Sequence, residues 1–234
     1  MSEKLKIGIY GDSYAISGDD ITQCWSHHLR KYFDVYIHGR PASSVEWSVQ
    51  QFLDTYQDYD KIVFVVTEAN RLYFPKHPGL PHWTVHTHNS IKGLHRSMRG
   101  EYENYIRFHM KYAYDESVLV TKQKAYLNFV SNLKPDTLFL SSFPNCIPDD
   151  QNIALSMISD LDHINSKSNN YLQNIFATKN PDPRPCHMNH TNNLLLAKKI
   201  KQWINTGKFN LKNTDDFYIP LSRSDLFTIN KKFK

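Results

Sequence analysis

Short apolar, β-prone runs recur along the chain, at residues 6–10, 34–38, 61–66 and 136–142. Between them, apolar residues return with helical spacing in three segments, at residues 22–33, 44–56 and 117–133. Continuous apolar strands that alternate with amphipathic helices are typical of a parallel sheet covered by helices on both faces. The pattern therefore predicts an α/β protein built as a three-layer α/β/α sandwich.

Two further helices are predicted nearer the end of the chain, at residues 153–165 and 191–207, the latter with Thr191 as its cap and Gly207 after its end. The stretch at about 72–110 has little strand pattern and is predicted to be a long insertion. With 234 residues, the chain is long enough for one large domain. We predict a single domain over residues 1–207, followed by a C-terminal wrapping tail at 208–234.

Composition and charge exclude several classes of partner. Apolar residues make up 40% and charged residues 22%, which is ordinary for a folded protein. The net charge of +5 is spread along the chain except for a basic C-terminus, and without a dense basic face we expect no nucleic-acid partner. No apolar run approaches the roughly 20 residues that span a bilayer, so no membrane partner is expected either.

Localisation is predicted from the N-terminus and the cysteines. The start MSEKLK leads into a strand rather than into the apolar region of a signal peptide. Cys24, Cys146 and Cys186 are an odd number at wide spacing, which indicates free thiols and a reducing compartment. We therefore expect a cytoplasmic protein. Eight glycines in 234 residues, with abundant Asn, Lys and Tyr, indicate an AT-rich coding genome such as that of a virus.

Small and polar residues follow the first three predicted strands, where open parallel sheets bind their ligands. They are Gly11-Asp12-Ser13, the loop at residues 39–44 and the segment at residues 67–71. Gly11 permits a tight turn, and Ser13 then falls where free N–H groups would favour a developing negative charge. Ser13 is a candidate nucleophile, although Asp and Ser are also preferred where a chain turns into a helix.

A serine nucleophile needs a base, and the stretch CHMNHTNNLLLA places His187 and His190 just before the last predicted helix. Together with the Gly-Asp-Ser turn, this stretch resembles the SGNH (GDSL-type) hydrolase family, in which Asp-x-x-His-Pro-Asn precedes the terminal helix. His187, Asn189 and Ala197 fall on matching positions. The resemblance implies a flavodoxin-like fold, an ester-hydrolysing activity without a cofactor, and His187 rather than His190 as the base.

The resemblance also implies an oxyanion hole made of three donors. They are the backbone N–H of Ser13, a backbone N–H after the second strand and the side chain of an Asn after the third. Asn70 matches the last, although its neighbours depart from the family's Gly-x-Asn-Asp. Gly39 and Ala42 remain open as the second donor.

The family's acid has no direct counterpart, because the position three residues before His187 is Arg184. The nearest carboxylate is Asp182, in a segment stiffened by two prolines. Asp182 either completes a triad through a rearranged loop, or the chain works as a Ser-His dyad. Arg184 could then hold an anionic group of the substrate or pair with Asp182.

Other residues are weaker candidates. Glu68, Arg71 and Trp83 could touch substrate, while an ion pair is the simpler interpretation of the first two. Six histidines lie in the predicted insertion, but without a Cys or Asp at tight spacing we expect no metal site. We expect a small-molecule or glycan ester as substrate. An acyltransferase that uses the same acyl-enzyme, and an inactive binding or structural protein, are the alternatives.

Overall fold

The computed structural model describes residues 4–16, 24–41, 43–73, 84–86, 104–105, 108, 111–143, 146–147, 152, 154–158, 188, 190–212 and 217. The strands are β1 (Lys6–Gly11), β2 (Asp34–Gly39), β3 (Lys61–Val66), β4 (Arg71–Tyr73), β5 (Thr84–His86) and β6 (Leu138–Ser141). Among the described residues, helices with defined bounds are α1 (Trp25–Leu29), α2 (Val45–Thr55), α3 (Glu116–Leu133) and α4 (His190–Thr206), with 3-10 turns at Tyr56–Asp58 and Leu155–Ile158. Residues 104–105, 108 and 111–112 are also helical.

The four predicted strands form one parallel sheet in the order β2-β1-β3-β6. Gly11 pairs with Gly39 and Val66 with Ser141, so the carboxyl ends of these strands lie along one edge. Residues 7–11 of β1 and 62–66 of β3 are buried throughout, as expected for strands covered on both faces. The sheet therefore brings the segments that follow these four strands to a common edge.

Two apolar cores flank the sheet. On one face, α1 and α4 bury Trp25, Leu29 and Ile200 against Ile7 and Ile9 of β1. On the other face, side chains of α2 and α3 pack with Tyr10 and Phe64. Successive residues of a strand point to opposite faces, which is why neighbours in β1 belong to different cores. The predicted three-layer sandwich is confirmed.

The helix boundaries differ in part from the predictions. α2 begins after Ser44, whose hydroxyl caps the helix by accepting from the Trp47 N–H. α4 begins at His190, so the prediction of Thr191 as the cap was wrong, whereas Gly207 ends the helix with φ +71° as predicted. α1 is much shorter than the predicted 22–33. The predicted helix at 153–165 contains a 3-10 turn over Leu155–Ile158, and residues 159–165 lie outside the described part.

The predicted insertion contains a strand pair, which its sequence did not indicate. β4 and β5 pair antiparallel, with Arg71 opposite His86. In the predicted tail, Leu211 and Phe217 are buried in the same core as α4. The domain boundaries themselves stay a prediction. None of the helices in the described ranges is long and apolar enough to cross a membrane.

Candidate active site

The chain turns sharply after β1, at Gly11-Asp12-Ser13. Gly11 has φ +143°, and a Cβ at this position would lie only 2.6 Å from the Cβ of Val65. The prediction that Gly11 permits a tight turn is therefore confirmed. The N–H of Ala15 donates to the Asp12 carbonyl at 3.0 Å and closes the turn, in which Ser13 is half-buried.

The carboxylate of Asp12 is fully buried and braces this turn. Its Oδ1 accepts from the N–H of Tyr14 and from the hydroxyl of Ser142, each at 3.0 Å. Its Oδ2 lies 3.1 Å from Nη1 of Arg71, which donates to it in a buried ion pair. Asp12 is therefore held by an N–H, a hydroxyl and a guanidinium, each from a different segment of the chain.

Arg71, the first residue of β4, has only 3% of its side chain exposed. Besides Asp12, its Nη1 donates to the carbonyl of Ser43 at 3.2 Å. Its Nε lies 3.6 Å from Oε2 of Glu68, and its Cζ lies 5.4 Å from the ring centroid of Phe143. One guanidinium thus contacts the segments that follow β1, β2, β3 and β6. Contact of Arg71 or Glu68 with substrate stays a prediction.

The loop after β2 is tied to the turn after β1. The N–H of Arg40 and the hydroxyl of Ser43 both donate to the Gly11 carbonyl, each at 3.0 Å. The N–H of Ser43 donates to the Arg40 carbonyl at 3.1 Å. These two N–H groups have partners inside the protein. The choice between Gly39 and Ala42 as oxyanion donor stays a prediction. Ala42 lies outside the described residues.

Gly39 packs closely against the segment that follows Ser13. A Cβ at Gly39 would lie 2.3 Å from Cγ2 of Ile16 and 3.1 Å from Cβ of Ala15. The absence of a side chain therefore allows the two segments to approach each other closely.

Asn70 follows β3 and directly precedes Arg71 in the chain. Its side chain is partly buried, and its Oδ1 is buried with no hydrogen-bond partner in the described part of the chain. Buried polar groups normally have a partner, so this oxygen could accept a hydrogen bond from a donor of a ligand. The predicted oxyanion role needs the amide hydrogens on Nδ2 and stays a prediction.

A second set of hydrogen bonds links the turn after β1 to the start of α4. The Trp25 indole Nε1 donates to the Tyr14 carbonyl at 2.7 Å. The Trp25 N–H donates to Oδ1 of Asn193 at 2.8 Å, and Nδ2 of Asn193 donates to the Met188 carbonyl at 2.8 Å. Trp25, Asn193 and Met188 are all buried. The chain neighbours of Ser13 and of His187 therefore belong to one hydrogen-bonded network.

Several predicted site residues lie outside the described residues. They are Ala42, Trp83, Asp182, Arg184 and His187. His190, the alternative base, is the first residue of α4, and its ring lies 5.3 Å from the ring of His28 in an edge-to-face contact.

The cysteine predictions are confirmed for two of the three residues. Cys24 and Cys146 are buried free thiols. Burial raises the pKa of the Cys146 thiol to about 12, with smaller effects from neighbouring groups that include the charges of Asp12 and Glu68. Cys146 is therefore a protonated thiol at neutral pH and not a nucleophile. Cys186 lies outside the described residues.

Metal ligands are not grouped in the described part of the chain, where no set of three His, Cys, Asp or Glu side chains could hold an ion. The side chains of the six histidines in the predicted insertion lie outside that part. The prediction about a metal therefore remains a prediction.

Comparisons with known proteins give similarities to solved structures only. No protein-family model and no curated protein matches the chain. A solved structure from Desulfitobacterium hafniense DCB-2, described as a "putative lipolytic protein of G-D-S-L family", is similar over 75% of this chain and 98% of its own. The sequence identity is 14% and the TM-score is 0.30.

Three features of the site were not predicted from the sequence. Ser142 directly follows β6, and the rule that ligands bind at the carboxyl ends of strands could have indicated it. Gln123 of α3 donates to the carbonyls of Thr67 and Cys146 and so joins the segments after β3 and β6. The contact between Trp25 and Asn193 spans 168 residues, and no local signal indicates it.

Proposed function

We propose that this protein is a serine hydrolase that cleaves a carboxylic ester through Ser13 and His187. The observation that carries the proposal is the ion pair of 3.1 Å between Asp12 and Arg71. Asp12 is the chain neighbour of Ser13, and Arg71 is the chain neighbour of Asn70. The predicted nucleophile and the predicted oxyanion donor therefore belong to turns that are bonded to each other.

In the proposed reaction, the Ser13 hydroxyl attacks the ester carbonyl carbon while His187 accepts its proton. The tetrahedral oxyanion is stabilised by the N–H of Ser13, the Asn70 side chain and an N–H at Gly39 or Ala42. His187 then passes the proton to the leaving alcohol. Water attacks the resulting acyl-enzyme and releases the carboxylic acid, which restores Ser13.

The assignment of His187 is supported by the hydrogen bonds around Met188. Met188 follows His187 directly, and its carbonyl is bonded to Asn193, which also accepts from Trp25. Trp25 in turn donates to Tyr14, the residue after Ser13. Consecutive Cα atoms lie about 3.8 Å apart. Because the network holds Tyr14 and Met188, it restrains the residue that follows Ser13 and the residue that follows His187.

The acid and the substrate contacts are part of the proposal. Asp12 is a poor candidate for the acid, because its two oxygens are occupied by Tyr14, Ser142 and Arg71. We propose Asp182 as the acid that orients His187. Glu68, Trp83 and Arg184 are proposed to line the substrate cleft.

The test is hydrolysis of p-nitrophenyl acetate and butyrate by wild type and by Ser13→Ala, His187→Ala and His190→Ala at equal folded concentration. We expect the Ser13 and His187 variants to fall to background, because the acyl-enzyme cannot form without the nucleophile or the base. His190→Ala is the matched control and should retain turnover. An inactive wild type, or an active Ser13→Ala, would contradict the proposal.

A further inference from the structure

The side chain of Arg71 makes a set of buried contacts, although it has no role in the steps of the proposed reaction. It is a buried cation at the carboxyl edge of the sheet, and its contacts come from four separate segments. The ion pairs Lys61–Asp136 and Lys122–Glu46, by contrast, have a lysine as the cation, and both partners of each are at least one-fifth exposed. A buried charge is costly to desolvate, so its retention here requires compensating contacts.

The two hydrogen bonds of Nη1 hold together the parts that carry the proposed oxyanion donors. One goes to Asp12, which precedes Ser13, and the other goes to the carbonyl of Ser43, which follows Ala42. Asn70 is joined to Arg71 through the backbone. A shift of the guanidinium would therefore change the spacing among the three segments that are proposed to surround the oxyanion.

We propose that Arg71 is a positioning residue that holds the Ser13 turn, the Asn70 turn and the loop at residues 39–44 at the spacing needed for the oxyanion. This inference rests on the proposed hydrolase function. Arg71 acts through its neighbours and touches no reacting atom. Displacing a reacting geometry by about 1 Å can cost roughly 100-fold in rate.

Lysine should replace Arg71 poorly. An ammonium is a compact charge, whereas the guanidinium presents several donors in a fixed plane. In this site the planar group donates to two acceptors and also lies near the ring of Phe143. Arg71→Lys should therefore keep the charge opposite Asp12, but it should hold the Ser13 turn, the Asn70 turn and the loop at residues 39–44 less firmly at their spacing.

The experiment separates positioning from stability with a double variant. Arg71→Met alone leaves the buried Asp12 carboxylate without its cation, which should lower stability. Arg71→Met combined with Asp12→Asn removes both charges, while the Asn oxygen can still accept from Tyr14 and Ser142. Melting temperature, kcat and KM for p-nitrophenyl butyrate are measured for wild type, both single variants and the double variant. Lys61→Met, at the opposite edge of the sheet, is the control.

We expect the double variant to regain most of the melting temperature lost in Arg71→Met, with kcat still about 100-fold below wild type and KM little changed. It should also remain well below Asp12→Asn alone in kcat. If kcat returns together with the melting temperature, or if Asp12→Asn alone accounts for the loss, Arg71 is only a stabilising residue and the inference is overturned.

Failure of the hydrolase proposal gives a different result. In that case wild type shows no ester turnover and Ser13 does not react with a fluorophosphonate probe, so both proposals fall together. If wild type turns over and its Ser13 reacts, a double variant with wild-type kcat overturns only the role of Arg71.

Discussion

The two edges of the parallel sheet each carry an ion pair, and the pairs differ in burial and in connection. At the carboxyl edge, Arg71 and Asp12 are 3% and 0% exposed, and hydrogen bonds join them to further segments. At the amino edge, Lys61 and Asp136 lie 2.9 Å apart with 28% and 78% of their side chains exposed. Similar charges at a similar distance therefore stand in very different environments.

The difference matters for the proposed active site, which lies at the carboxyl edge. An exposed pair gains little, because water already solvates both charges and salt screens them. A buried pair must recover a large desolvation cost, and replacing it by apolar residues often leaves a protein equally stable. The Asp12–Arg71 pair is therefore better explained by the fixed arrangement of four segments than by stability alone.

Among the substitutions that test this comparison, Arg71→Met should have the largest effect, which is on the free energy of unfolding. The substitution leaves the Asp12 carboxylate buried without a cation, and we expect a loss of about 3–5 kcal/mol in the free energy of unfolding. Urea unfolding at pH 7 measures it. A loss as small as that of Lys61→Met would show that the two pairs are equivalent.

The next effect is on catalysis, through Asn70→Ala. Removing one oxyanion donor typically lowers kcat about 100- to 1000-fold. The expected result is a loss in this range for p-nitrophenyl ester hydrolysis. The melting temperature should change little through the loss of Oδ1, because this oxygen has no partner in the described part of the chain. Asn70→Asp is a close isostere without amide hydrogens, and it should be at least as slow. Wild-type turnover by either variant would remove Asn70 from the site.

A smaller effect is expected on the pH dependence of stability, through His38 of β2. This side chain is partly buried, between the buried Asp12–Arg71 pair and the exposed Lys61–Asp136 pair. Burial lowers the pKa of His38, with a smaller opposing effect from Asp58, and its Nε2 lies 2.6 Å from the Tyr59 hydroxyl. In the window just below the ordinary pKa of about 6.5, the unfolded chain binds more protons than the folded one. Stability should therefore fall as the pH drops through this window.

His38→Gln tests this linkage, because glutamine cannot take up the proton and can still bond to Tyr59. Melting temperatures of wild type and variant are compared between pH 7.5 and 5.5. We expect a flatter profile for the variant. Parallel profiles would show that other groups cause the pH dependence.

The smallest effect is expected for Lys61→Met at the amino edge. Methionine keeps the aliphatic stem beside Trp203, whose ring centroid lies 5.9 Å from Nζ of Lys61, and removes only the charge. We expect almost no change in melting temperature at 0.5 M NaCl and a small loss at low salt. A loss comparable to that of Arg71→Met would contradict the contrast between the edges.

The sequence predicted the sheet well because its signals are local. β1 and β3 are apolar runs that are buried on both faces, and α2, α3 and α4 have clear helical spacing, so these elements could be predicted from local patterns. The hairpin of β4 and β5 was missed because each strand has only three residues, which is too short for an alternating pattern. The short α1 shows that apolar spacing alone does not fix where a helix ends.

The site was predicted only where it depends on neighbouring residues. Gly11, Asp12 and Ser13 are adjacent in the sequence, and the tight turn that Gly11 permits was predicted correctly. The partners of that turn are distant in sequence: Arg71 is 59 residues from Asp12, and Ser142 is 130 residues away. Such contacts depend on the strand order, which no single segment encodes.

The most direct test of the central claim is to find the residue that reacts with a fluorophosphonate probe. Wild type and Ser13→Ala are incubated with the probe at equal folded concentration, digested and analysed by mass spectrometry. We predict one phosphonylated residue, Ser13, in wild type and no stoichiometric labelling in the variant. Labelling of another residue, or equal labelling of both proteins, would contradict it.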